Sequence, residues 1–159
     1  MSKIIALLIL GIQVVVTFIV LCSLYMVFAI LDSDFGFDGL VVLFVFMPII
    51  AMVFSGLTIL FCLLVGLPVR LNKKIHDWWT RHFYLAIAGA GLGLMLQFLS
   101  LFPAFAQTAT IDRGDGQPVS KQIPNSIFGL TGWFLTAFSL LHVYPPKCRY
   151  KPEFFKLNC

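Results

Sequence analysis

Charge is scarce in this chain. Only 11% of its 159 residues are Asp, Glu, Lys or Arg, against about a quarter in soluble domains. None of them falls inside its four long apolar runs. A proton- or ion-coupled carrier needs an acid or base within the membrane, because the coupling group must bind and release charge there. The absence argues against a small multidrug exporter. Gln13, Gln97 and His142 are the strongly polar interior candidates.

Catalytic signatures are missing too. There is no His-Glu-x-x-His, no Gly-x-Ser-x-Gly, no paired carboxylates and no exterior Cys-x-x-Cys. The last absence excludes a quinone-linked disulfide oxidase, which also has four helices. Cys22 and Cys62 lie within apolar runs, and Cys148 and Cys159 fall on the expected cytoplasmic side, so no disulfide framework is expected. Without a paired Cys-x-x-Cys unit, no metal site is expected at Cys148 and Cys159 either. The chain is expected to be neither an enzyme nor a cofactor carrier. The exception to weigh is His82 with His142, two imidazoles near one membrane face that would hold a haem or metal between helices.

What the chain has in abundance is apolar length. Residues are 60% apolar, and the runs 4–31, 40–68, 83–106 and 127–144 approach or exceed the roughly 20 residues that cross a bilayer. The first is far longer than the apolar region of a signal peptide, about 7–15 residues, and is expected to be a transmembrane helix. The expected fold is therefore all-α: one four-transmembrane-helix bundle over residues 1–159, made of two helical hairpins. Its first two helices are joined by "DSDFGFDG", and Pro48 is expected to kink the second.

Lysine and arginine orient the bundle. Nine of them lie at the N-terminus, in the central loop and in the tail, against Arg113 and Lys121 in the other two loops. Positive residues stay inside, so both termini and the central loop should be cytoplasmic. The net charge of +4 then reflects topology and anionic lipid, not nucleic acid.

The central loop, "LPVRLNKKIHDWWTRHF", patterns as a short amphipathic cytoplasmic helix between the second and third spans. Leu71, Ile75, Trp78, Trp79 and His82 share one side, and Arg70, Lys73, Lys74, Asp77 and Arg81 the other. Lys73, Lys74, Trp78, Trp79 and Arg81 are the expected interfacial lipid contacts, with tryptophans at headgroup depth and cations toward phosphate. The exterior loop 107–126 offers two strand-like stretches around "DRGDG" and is expected to form a small hairpin. Arg113-Gly114-Asp115 within it carries no functional weight. The basic-aromatic tail after Pro145 is expected to return to the interface.

Small residues recur every four positions in the last two spans. Ala86, Gly89, Ala90, Gly93 and Gln97 share a face of the third, and Gly129, Gly132 and Thr136 form a stripe on the fourth. Such stripes let helix backbones approach in lipid, where no hydrophobic force drives association. They are the expected helix-packing or partner interface. The reading is an accessory or binding subunit of a bacterial inner membrane, associating with other membrane proteins or with itself and with anionic lipid. The alternative is an oligomeric channel or small-solute carrier. A redox-complex subunit with a histidine-ligated cofactor comes third.

Overall fold

Residues Lys3–Asp32 hold one glycine and no proline, and nothing in them stops a helix. They form α1, thirty residues or about 45 Å. The computed structural model describes residues 3–32, 41–112 and 118–144. The joining segment 33–40, the Arg113-Gly114-Asp115 turn and the tail 145–159 lie outside the described residues.

The second long helix, α2 (Val42–Val65), opens with a π-helical turn over Val42–Phe46. Met47 N–H donates to Val42 O, five residues back, just before Pro48. Pro48 has no N–H to give, so the wide turn sits at the point where a normal ladder would break. The expected kink is thus a π-turn near the start of the helix. Gly66 ends α2, and two short helices follow: α3 (Leu67–Leu71) and α4 (Lys73–Arg81). The single amphipathic helix expected here is divided because Asn72 is extended and its Oδ1 accepts from Lys74 N at 3.0 Å, an N-cap that starts a new helix.

After a turn at His82 comes α5 (Phe83–Ser100). It stops six residues short of the expected 106, because Leu101–Phe105 around Pro103 fold into turns. Strands β1 (Gln107–Asp112) and β2 (Pro118–Ile123) pair antiparallel, Gln107 opposite Ile123 and Asp112 opposite Pro118. Asn125 then joins the two helices that flank the hairpin. Its N–H donates to Ser100 O at 3.0 Å, and its Oδ1 accepts from Ile127 and Phe128 N–H at the start of α6 (Ser126–Leu141).

Three helices, α1, α2 and α5, are long and apolar enough to cross a membrane. The fourth, α6, has sixteen residues, about 24 Å, shorter than the expected 127–144. This helix, the shortest of the four long ones, lies at the centre. It packs against α1, α2 and α5, while α5 packs chiefly on α6. Trp133, Ala137 and Leu141 of α6 meet Leu21 of α1 and Ile59 and Cys62 of α2 in the core. Outward, α1, α2 and α5 bear exposed Leu, Ile, Val, Phe and Met side chains along their lengths. An apolar surface of that extent belongs in lipid or against another protein.

Candidate functional site

Three regions gather polar side chains of the bundle, apart from buried Thr17 and the Cys22–Ser55 contact between α1 and α2. The first is the seam between α5 and α6. A Cβ on Gly93 would lie 2.7 Å from Thr136 N and 2.8 Å from Gly132 O, and one on Gly132 would lie 2.5 Å from Gly93 O. Only glycine fits where these backbones meet. Gly89 faces Ser139 and Gly129 faces Ser100, so the contacts run antiparallel along the pair. Ala86 is buried in the same seam, and Ala90 is half-buried. Gln97 Nε2 donates to Thr136 Oγ1 at 3.3 Å, and Thr136 Oγ1 donates to Gly132 O at 2.8 Å. These seam residues therefore meet one another within the chain.

The second region is the end of α6. A helix leaves its last carbonyls without intrahelical partners, and here side chains from three other helices take them. Arg70 Nη2 of α3 donates to Leu141 O at 2.8 Å, Trp79 Nε1 of α4 donates to His142 O at 2.7 Å, and Gln13 Nε2 of α1 donates to Val143 O. The Arg70 cation also sits at the negative end of the helix dipole and 5.9 Å from the Tyr144 ring centre. His142 is fully buried. Its ring stacks on Phe138 at 4.3 Å, its Nδ1–H donates to Phe138 O at 2.8 Å, and its other edge lies on Gly66, where a Cβ would overlap it.

The two tryptophans of α4 part company. Trp79 is half-buried, with its ring edge-on to Phe138 at 6.0 Å. Trp78 is 51% exposed; Ile75, one turn before it on α4, is exposed to a lesser degree and Leu71, at the end of α3, to a greater one. Lys73, Lys74 and Arg81 are exposed. Arg70, read from the sequence as part of the wet side, turns inward instead. The helical pattern gave no sign of this, since a cation on a polar face reads alike whether its target is water or a carbonyl. His82 and His142 have separate neighbours: His82 lies over Trp78, 4.8 Å between ring centres, and its Nδ1 bonds Trp78 O. Among the described residues no group of three or more His, Cys, Asp or Glu is placed to hold a metal ion.

The third region is the hairpin end. Here Tyr25, Phe54 and Trp133 form an aromatic cluster, with centroids 5.9–6.5 Å apart. Trp133 Nε1 donates to Thr58 Oγ1 at 3.0 Å, which holds α6 to α2. Beside the cluster are two cavities, about 230 and 430 Å³, that share Tyr25, Phe28 and Pro124. Sequence reasoning did not single out Trp133, Tyr25 or Phe28. An aromatic within an apolar run carries no mark of which helix it will face. Searches against protein-family models, curated proteins and solved structures give no match for this chain.

Proposed function

We propose that the chain is a four-span integral membrane protein with both termini on the cytoplasmic side, working as a binding or accessory subunit in a bacterial inner membrane. The observation that carries this reading is the placement of α6. The shortest of the four long helices fills the centre of the bundle and is tied by hydrogen bonds to α1, α2, α3 and α4, so these polar groups of the interior serve the fold. What remains for other molecules is the apolar outer surface of α1, α2 and α5, together with Ile127, Leu130 and Phe134 on the outward face of α6. Surrounding protein in place of lipid also suits a span of about 24 Å, because α6 need not match the roughly 30 Å hydrocarbon thickness alone.

The same placement counts against a channel or carrier working within one chain. Exposed Leu71, Ile75 and Trp78, flanked by Lys73, Lys74 and Arg81, support contact with anionic lipid at the cytoplasmic surface. Two measurements test the reading in native membranes, with the four native cysteines replaced. Ser120→Cys should label from outside and Lys73→Cys only from inside; the reverse pattern defeats the topology. Cysteines on outward faces, Gly11→Cys and Gly91→Cys, should form defined crosslinked adducts with other membrane proteins. A chain that stays monomeric from every outward position is not an accessory subunit.

A further inference from the structure

Helix α4 is too short to hold its own shape. Its nine residues fall below the roughly 12–15 at which an isolated helix is even marginal in water, so its form depends on what it touches. At about 100° per residue, two strips oppose each other across it. His76, Trp79 and Thr80 make one, and Lys74, Trp78 and Arg81 make the other. Asp77, the one acid of α4, lies between them.

The first strip grips the end of α6. The His76 ring meets Tyr144 edge-on at 4.8 Å, Trp79 Nε1 donates to His142 O at 2.7 Å, and the Trp79 ring meets Phe138. Thr80 is buried beside them. Arg70, two residues before the Asn72 cap, adds its bond to Leu141 O. The second strip is uncovered: Lys74, Trp78 and Arg81 are exposed, and so is Lys73 at its flank. A cation, an indole and a cation along one face suit headgroup phosphate and the depth at which tryptophan settles.

We propose that α4 is a strap through which anionic phospholipid tightens the hold on the end of α6. The same nine residues carry both strips. Whatever keeps the outer strip at the bilayer surface therefore keeps the helix formed, and with it the inner strip on residues 138–144. The coupling is reciprocal, because both contacts favour the same state of one element. Charge selects the partner: the outer strip and its flank carry three cations and no acid. The inference rests on the membrane-spanning reading and the anionic-lipid contact proposed above, and adds what that contact does.

The tryptophans supply the test, because their indole N–H groups sit in different places. Trp79 reports the strap, and Trp133, which donates to Thr58 between α6 and α2, reports the bundle interior. The full-length protein is placed in bilayer nanodiscs of phosphatidylcholine alone, or of phosphatidylcholine with phosphatidylglycerol, and indole hydrogen exchange is followed by NMR. Phosphatidylglycerol should slow exchange at Trp79 by about five- to thirtyfold, the factor expected when one or two cations must leave the surface for the strap to open. Trp133 should not change. Lys73→Gln, Lys74→Gln and Arg81→Gln together should give Trp79 the same rate in both bilayers. Added salt screens surface charge and should shrink the difference in the unaltered protein, a check that needs no substitution. Equal exchange at Trp79 in the two bilayers overturns the strap and leaves the membrane reading intact, as does parallel slowing of Trp79 and Trp133. A difference that survives both neutralisation and salt overturns the role of charge. A protein that does not enter the bilayer defeats the membrane-spanning reading, and the inference with it.

Discussion

The two ends of α6 are finished in opposite ways. At its C-terminus three consecutive carbonyls are taken by Arg70, Trp79 and Gln13, and the His142 ring fills the space above Gly66. At its N-terminus Asn125 alone caps the helix, and beside it the chain leaves cavities of about 230 and 430 Å³. Each unpaired buried carbonyl would cost about 1–3 kcal/mol, so the tied end is where three other helices are fixed to the central one. The open end has aromatic walls and an unpaired amide oxygen.

That contrast presumes that α6 is held in register along its length by α5, and Gly93 is where the presumption is most easily broken. Gly93→Leu forces side-chain atoms into the Thr136 and Gly132 backbone, which cannot swing aside. Loss of more than about 3 kcal/mol is expected, with both ends loosened together. Gly91→Leu, which meets nothing within 4 Å, should change stability by less than about 0.5 kcal/mol. Thermal unfolding in detergent compares the two. Similar melting temperatures would mean that α5 does not set the register of α6.

A pair of alanine substitutions at the two ends sharpens the comparison with a smaller effect. At the tied end, a methyl on Gly66 overlaps the His142 ring, which must move and draw the capped carbonyls with it. Gly66→Ala should cost about 1–3 kcal/mol. At the open end, a Cβ on Gly129 would have Ser100 Oγ as its nearest neighbour at 3.7 Å, an ordinary contact. Gly129→Ala should be neutral or stabilising by up to about 1 kcal/mol, since alanine favours helix over glycine. Unfolding midpoints displaced in the opposite order would overturn the assignment of the rigid end.

Much of the helical layout was legible because long uninterrupted apolar runs mark helices able to cross a membrane, and α1, α2 and α5 fall on three of them. The hairpin of β1 and β2 was legible from its strand-turn-strand composition. Helix ends were less so. Pro103 and the turns around it end α5 early, and Asn72 splits the loop helix because its side chain can cap a new one. The four-residue spacing of Gly89, Gly93, Gly132 and Thr136 was visible, and the structure sets these residues between α5 and α6. What the pattern hid was direction. Lipid and protein interior are equally apolar, so period alone cannot tell a side chain facing one from a side chain facing the other. Trp133, Tyr25 and Phe28 were hidden for that reason. Arg70 was hidden for the complementary one, a cation whose destination is a helix end distant in sequence.

The adjacent tryptophans give the smallest and most selective test of the tied end, because they differ in setting but not in kind. Trp79 Nε1 donates to His142 O at 2.7 Å while its ring packs against Phe138. Trp79→Phe keeps an aromatic ring over Phe138 and removes the donor, leaving a carbonyl at the end of α6 unpaired. A loss of about 1–2 kcal/mol is expected, together with faster amide exchange near residues 138–144. Trp78 is 51% exposed, and Ile75 one turn before it on α4 is exposed too. Trp78→Phe retains an apolar ring at the surface, so stability in detergent should move by less than about 0.5 kcal/mol. If the ring anchors α4 in the interface, its effect appears instead in lipid bilayers, as weaker partitioning of the loop. Equal losses in detergent from the two substitutions would show that neither indole N–H matters, and the tied end would then rest on Arg70 and Gln13.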